Sequence, residues 1–334
     1  MTVTMRFSVL LLSFVVAGCT TPFDLQGHRG ARGLAPENTL PAFAKALELG
    51  VTTLELDTAI TRDGVVVVSH DPWLNPDIVR GADGQWLAAR GPNISELTFE
   101  ALSRYDVGRL KPGTTYASRY PEQRGLDGVR IPRLAEVFAL ARNSAVRFNI
   151  ETKVSPLAPE ETQPPEAFAR RLIGEIRKAG MARRSTLQSF DWRTLQIAQR
   201  EAREIPTVYL TAQQKFLDNV CTGPAAGNPR VNPVECQPSP WTAGFQLRDH
   251  GSVPRMVKAA GGAVWSPFYG DVDAAKVKEA KALGLEVVVW TVNTPETIAR
   301  MLDFGVDGII SDRPDLVLAE LRKKTGVRDE FPRK

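Results

Sequence analysis

Short runs rich in Val, Ile, Leu and Thr alternate with segments whose apolar residues recur at helical spacing along most of the chain. That alternation is the pattern of βα units, because a strand must return through a crossover helix before a parallel neighbour can pair beside it. Strands are predicted at Leu25–His28, Thr53–Thr58, Val65–His70, Val146–Thr152, Ser185–Ser189, Thr207–Thr211, Ala263–Ser266, Val287–Thr291 and Gly308–Ser311. Between them fall helices at Leu40–Leu49, Leu134–Ala141, Glu166–Ala179, Trp192–Glu201, Ala274–Leu283 and Pro295–Phe304. The 334 residues accommodate one α/β domain of the (β/α)8 TIM-barrel type, which takes roughly 250 residues plus insertions. One strand is then surplus. It is explained if Thr61-Arg62-Asp63-Gly64 is a tight turn, with Asp63-Gly64 as the hairpin signal, so that Val65–His70 folds back beside the preceding strand. Hydrophobic residues at 43% and charged residues at 24% exclude a disordered chain and a multi-pass membrane protein.

Two regions interrupt the alternation. Residues 72–130, punctuated by Gly and Pro, are expected to form a small lobe over the barrel mouth after the hairpin, and residues 212–242 form a second excursion. The latter holds Cys221 and Cys236, whose disulfide would close ~15 residues and contribute ~3 kcal/mol in the chain-entropy model. Zinc would want four ligands, and no His or further Cys lies nearby. A disulfide presupposes export. Arg6 precedes the apolar run Phe7 to Ala17, which at ~11 residues is short of the ~20 that span a bilayer and suits a signal peptide. The run ends in Val16-Ala17-Gly18-Cys19, which resembles a bacterial lipobox. Residues 1–18 would be removed and Cys19 left as a lipidated N-terminus on the periplasmic face of a membrane; the alternative is ordinary secretory cleavage beside a chance cysteine. Thr20 rather than Asp after the cysteine favours the outer membrane over the inner. The net charge of +4 has its densest cluster at Arg322, Lys323, Lys324, Arg333 and Lys334, read as a solvated basic tail over 321–334 and not as a nucleic-acid patch.

The chemistry concentrates in His28-Arg29-Gly30, Glu55-Leu56-Asp57, His70-Asp71 and Glu151-Thr152-Lys153, all at predicted strand C-termini, the face where a β/α barrel builds its active site. Side chains alternate along a strand, so Glu55 and Asp57 share a face, as do Glu151 and Lys153. Three carboxylates pointing into one mouth raise each other's pKa unless a cation neutralises them, and all-oxygen ligation favours Mg²⁺ or Ca²⁺. The alternative is ordinary ion pairing, such as Glu151 with Lys153. Of the three histidines, His28 and His70 lie at this face, where they can serve as general base and general acid, whereas His250, in the loop Asp249-His250-Gly251, reads as solvated. Arg29 and Lys153 would complement a phosphodiester's charge. Asn38 reads as the N-cap of the helix beginning near Thr39, and Glu37 as a brace for the loop beneath His28.

In order along the chain come His28-Arg29-Gly30, Ala35-Pro36-Glu37-Asn38-Thr39, Glu55-Leu56-Asp57, Thr61-Arg62-Asp63-Gly64, Ser69-His70-Asp71, Glu151-Thr152-Lys153, Gln188-Ser189-Phe190, Trp290-Thr291-Val292-Asn293 and Gly305 through Asp312. This ordered set resembles the glycerophosphodiester phosphodiesterase family. The resemblance implies a catalytic domain over 24–320. It further implies one divalent cation, Ca²⁺ or Mg²⁺, on Glu55, Asp57 and Glu151, acid/base catalysis by His28 and His70, phosphate contacts from Arg29 and Lys153, and a glycerol pocket flanked by Phe190 and Trp290. The latter two are equally explicable as barrel packing. The products would be glycerol 3-phosphate and an alcohol. After His70-Asp71-Pro72 the family commonly continues with a basic residue and a Thr pair, whereas this chain has Trp73-Leu74-Asn75-Pro76-Asp77, leaving headgroup and acyl preference open. Two other readings stand beside it: a lysophospholipase D or sphingomyelinase-D-like activity on membrane lipids, and a non-catalytic ligand-binding surface lipoprotein.

Overall fold

The computed structural model describes residues 22–326. The signal segment, Cys19, and the end of the chain including Arg333 and Lys334 lie outside the described residues.

Eight parallel strands close on themselves: β1 (Asp24–Gly27), β2 (Thr53–Ile60), β4 (Arg147–Thr152), β5 (Ser185–Ser189), β6 (Thr207–Thr211), β9 (Val264–Pro267), β10 (Glu286–Val289) and β11 (Gly308–Ser311). Closure comes from β1 pairing with both β2 and β11. This is the TIM barrel that the alternation predicts. The surplus strand, β3 (Val66–Val68), runs antiparallel to the far end of β2, with Ile60 opposite Val66 and Thr58 opposite Val68. A two-residue ribbon, β7 (Gln213–Gln214) and β8 (Leu217–Asp218), opens the 212–242 excursion.

The main core lies between the outer faces of the strands and the helices, where Trp192, Phe43, Phe148 and Phe168 are fully buried. The barrel interior is divided. On the β6, β9, β10 and β11 side it is filled by Val208, Val264, Val288 and Ile310. On the β1, β2, β4 and β5 side it is polar: Asn149 Nδ2 donates to Gln26 Oε1 (2.9 Å) and Gln188 Oε1 (2.8 Å). Buried amides on strands are tolerable because they satisfy one another. Residues 72–130 carry only short helices, and their Leu74, Val79, Ile94 and Leu102 gather with Ala59, Val67 and Ile131 into a second, smaller core. Cys221 and Cys236 are joined in a disulfide, with Cα atoms 5.2 Å apart.

Several expectations are corrected. β2 continues to Ile60, so Glu55 and Asp57 sit within the strand and not at its end; pairing with β3 gives the additional residues a partner. The N-cap of helix Leu40–Leu49 is Thr39, whose hydroxyl accepts from Ala42 N (3.3 Å), while Asn38 adopts φ 54° and sends its side chain into the site. Helices Val253–Ala259 and Pro314–Thr325 had no counterpart in the pattern. Arg322, Lys323 and Lys324 occupy the last turn of the latter, where cations complement the helix dipole, so a tail cannot begin at 321. His250 ends the short helix Leu247–His250, half-buried with its ring 6.1 Å from that of Phe245. No helix among the described residues is long and apolar enough to cross a membrane.

Candidate active site

The turn after β1 begins the site. Gly27 and Gly30 let the backbone fold tightly: a Cβ on Gly27 would meet Gly30 O at 2.2 Å, and one on Gly30 would meet Ala42 at 2.6 Å. Gly30 has φ 88° and Arg29 φ 50°, so the Arg29 N–H turns inward and donates to Glu55 Oε2 at 2.8 Å. Strand register supplies the rest. Asp57 stands beside Glu151 across β2 and β4, and Glu151 beside Gln188 across β4 and β5. Gln188 donates to Glu55 Oε1 (2.6 Å), fixing the carboxylate from the far side.

Glu55, Asp57 and Glu151 each offer an oxygen within 4.8 Å of the others, and all three are buried. Burial and the charge on Asp57 hold Glu55 well above the usual carboxylate range. Burial also pushes Glu151 up to about 7; Lys153 Nζ, 2.9 Å from its Oε1, works against the shift and Asp57 adds to it. For Asp57 burial is outweighed by Arg29 (Nε 3.2 Å from Oδ2), His70, Lys153 and a hydrogen bond from Asn38 (2.9 Å), and its pKa is lowered. Such a cluster is costly without a cation, and its donors are hard oxygens within reach of a common centre, so the residues fit a divalent ion.

The hairpin has a purpose here. β2 rises past the mouth and β3 brings the chain back, with Ser69 N donating to Asp57 O (3.0 Å), so that His70 re-enters at the level of the carboxylates. Both histidines are held at Nδ1: His28 by Asp312 Oδ1 (2.6 Å) and His70 by Asp71 Oδ1 (2.8 Å). A carboxylate at Nδ1 fixes the proton there and leaves Nε2 with its lone pair. His28 Nε2 lies 4.0 Å from Glu55 Oε2. Burial and Arg32 lower the His28 pKa to about 4 against the pull of Asp312, and burial, Arg29 and Lys153 lower that of His70. Both imidazoles are therefore neutral near pH 7.

These groups converge on one cavity of about 380 Å³, lined by His28, Arg29, Glu55, His70, Glu151, Lys153, Phe190 and Trp290 among others. Phe190 and Trp290 meet edge to face, centroids 5.3 Å apart. Arg29 and Lys153 reach the cavity already engaged: Arg29 NH1 donates to Glu37 Oε1 (2.6 Å), and Lys153 bridges Glu151 and Asp57. Glu37 thus braces the loop through Arg29, its other oxygen accepting from Tyr116 Oη.

Arg32, Asp312, Gln188, Asn38 and Tyr116 belong to the site as well, beyond the residues expected from the motifs. Asp312 anchors a network: it accepts from Arg32 Nε (2.8 Å) and Asn293 Nδ2 (2.7 Å) as well as from His28. It follows β11 directly, a position at a barrel strand's C-terminus that could have marked it. Removing its charge in Asp312→Asn frees the imidazole to take either tautomer. Turnover should fall roughly 10–100-fold with circular dichroism unchanged, the scale seen when a group behind an active-site residue is lost.

A model of the glycerophosphoryl diester phosphodiesterase family matches residues 28–316. The glycerophosphodiester phosphodiesterase of Caldanaerobacter subterraneus is 27% identical over 297 residues, covering 89% of this chain and 96% of that one. The lysophospholipase D GDPD1 of Homo sapiens is 26% identical, covering 86% and 82%. A crystal structure from Silicibacter pomeroyi DSS-3, of a protein assigned as a glycerophosphoryl diester phosphodiesterase, superposes with a TM-score of 0.78 at 34% identity, covering 92% of this chain and 95% of that one.

Proposed function

The chain belongs to the glycerophosphoryl diester phosphodiesterase family, and on that footing we propose that it hydrolyses glycerophosphodiesters to glycerol 3-phosphate and an alcohol, with a divalent cation at Glu55, Asp57 and Glu151. The observation that carries the residue roles is the placement of three clustered buried carboxylates, two of them lining a cavity that His28 and His70 also line, with both imidazoles held at Nδ1 so that Nε2 is left to react. A Ca²⁺ or Mg²⁺ ion on this all-oxygen set supplies positive charge to the oxygens of the phosphate.

The residues do the rest. Water adds across one P–O ester bond, so one proton must leave the attacking oxygen and one must reach the departing alcohol; His28 and His70 accept and return them. Arg29 and Lys153 offset the charge that grows on the phosphate. Arg29 Nε is buried without a hydrogen-bond partner among the described residues. Phe190 and Trp290 flank the glycerol, with Trp290 fixed by its Nε1 donating to Ser266 O (3.0 Å). The test is release of glycerol 3-phosphate from glycerophosphocholine after EDTA treatment and restoration of Ca²⁺ or Mg²⁺. No release with either ion sinks the reading.

Metal binding should also be linked to protons. Glu151, pushed up to about 7, and Glu55, also raised by burial, must lose their protons to bind a cation, so affinity should weaken as pH falls below 7 and protons should be released on binding near neutrality. Isothermal titration in two buffers of different ionisation enthalpy measures that release.

We further propose that the chain is exported and tethered through a lipid on Cys19, supported by the run Phe7 to Ala17 and by Val16-Ala17-Gly18-Cys19. Expressed with its own leader in a Gram-negative host, the protein should sediment with membranes, and Cys19→Ala should move it to the soluble periplasmic fraction. An unchanged distribution refutes the tether.

A further inference from the structure

The strands of a parallel barrel all begin at one end and the helices between them run back to it, so the loops that enter the strands form the end opposite the catalytic mouth. On one half of that end lies an arc of cations. Arg142 precedes β4, Lys178 and Arg183 precede β5, Arg203 precedes β6 and Lys258 precedes β9, and these strands are successive neighbours in the barrel. Hydrogen bonds between the loops make the rim continuous: Arg184 Nη2 donates to Val146 O (2.6 Å), Arg177 Nη2 to Glu201 O (2.8 Å) and Gln199 Nε2 to Gly261 O (2.9 Å).

The five cations are exposed, and none has an ion-pair partner among the described residues. Glu201 and Glu204, the acids beside them, are already paired with Arg170 at 2.9 Å and Arg177 at 2.7 Å. Helix dipoles account for Lys178 and Lys258, each in a last helical turn, but Arg142 and Arg203 lie beyond their helix caps, Ala141 and Ala202.

We infer that this arc rests on an anionic lipid surface, so that the barrel mouth points away from the membrane and draws its substrate from solution. The inference deepens the tether and diesterase readings above. Cys19 precedes Asp24 by five residues, at most about 17 Å of chain. Asp24 starts β1 at this same end, and its side chain is ion-paired at 2.8 Å with Arg147, the first residue of β4. A lipid on Cys19 therefore brings the arc to the headgroups. Leu140, 41% exposed two residues before Arg142, suits the boundary of a bilayer. A nucleic acid fits less well, because the loops 140–146, 178–184, 202–206 and 258–263 hold no aromatic residue on which a base could stack. The attraction orients the molecule and does not anchor it, since it fades within a Debye length, about 10 Å at 0.1 M salt. His28 and Glu151 stand at the far ends of β1 and β4, open to a soluble diester.

The purified Cys19→Ala chain is sedimented with vesicles of phosphatidylglycerol and phosphatidylethanolamine, or of phosphatidylcholine alone. At about 50 mM salt it should partition onto the anionic vesicles at least about tenfold more than onto the neutral ones, and about 0.5 M salt should abolish the difference. Lys178→Gln, Arg183→Gln and Arg203→Gln together should weaken that binding at least about tenfold while moving glycerophosphocholine turnover less than about twofold. Arg62→Gln, Lys215→Gln and Arg248→Gln, which remove the same charge from exposed positions off the arc, should weaken it less than about threefold. Equal binding to both vesicle types, equal losses in the two triple variants, or tighter retention on duplex DNA than on anionic vesicles overturns the docking face. The lipidated protein in anionic vesicles should keep its kcat/KM for glycerophosphocholine within about twofold of the value in detergent; a tenfold fall would mean a covered mouth and overturns the orientation. Vesicle binding by the Cys19→Ala chain needs neither the lipid nor turnover, so its failure is distinguishable from failure of the tether or of the diesterase reading.

Discussion

His28→Ala, folded and supplied with a divalent ion, should lose about 10²–10⁴-fold in kcat, the contribution of a positioned acid or base. The imidazole cannot be replaced from its surroundings. The basic groups around it, Arg29 and Arg32, are raised above the ordinary guanidinium range by their carboxylate partners despite burial, and so cannot accept a proton. Asp312, 2.6 Å from Nδ1, is ion-paired with Arg32 and held below the usual carboxylate range, and Glu55, whose Oε2 lies 4.0 Å from Nε2, is committed to the carboxylate cluster. The measurement is steady-state turnover of glycerophosphocholine, with divalent-ion binding followed by calorimetry as the control, because His28 is not among the carboxylates and ion affinity should stay within a few-fold. Near-normal turnover would remove His28 from the mechanism. A second readout is stability. The folded-state pKa of His28, about 4, lies below the ordinary 6.5, so the unfolded chain binds the extra proton and stability is lost as pH falls from 6.5 through 4. The variant should show a shallower loss over that window.

The catalytic face was legible because strands repeat with a period of two. Glu55 and Asp57, then Glu151 and Lys153, declare a shared side in the text itself, and two of only three histidines fall beside them. What stayed hidden depends on contacts between distant parts of the chain. Arg32 reaches Asp312 across 280 positions, and Tyr116 reaches Glu37 across 79 from a lobe without periodicity. Asn38 looked like a cap because Asn caps helices well, yet Thr39 could cap equally, and the positive φ available to Asn let it turn toward Asp57 instead. Gln26, Asn149 and Gln188 are polar residues inside strands. Their reason appears only when the barrel closes and each finds the next. The hairpin was foreseen from Asp63-Gly64, but its consequence, the return of His70 to the level of Asp57, required the register.

Glu151→Gln should separate function from stability. Replacing one of three anionic ligands by a neutral amide weakens the hold on the ion that would offset the phosphate's charge, so divalent-ion affinity should fall and turnover with it, on the order of 10³-fold. The ion-free protein should respond in the opposite sense. Glu151 is titrated from an ordinary 4.5 up to about 7 by burial, so its protonated form belongs to the folded state, and the stability this confers is present below pH 4.5 and lost as pH rises through 7. Integrated over that shift the loss is on the order of 3 kcal/mol. Glutamine is isosteric with the protonated acid and does not titrate, so the ion-free variant should lose less stability between pH 5 and 8 than the ion-free wild type, the remaining decline belonging to Glu55, which burial and Asp57 also raise. Lys153 keeps Asp57 as a partner at 3.8 Å, which limits the damage to the variant. Ca²⁺ or Mg²⁺ should then raise the wild type's melting temperature at pH 8 far more than at pH 5, and barely move that of the variant. Parallel pH profiles for the two ion-free proteins, or equal ion-induced shifts, would show that Glu151 is an ordinary partner of Lys153. A gain in ion-free stability won by removing a ligand would instead mean that the fold tolerates the crowded carboxylates because a cation completes them.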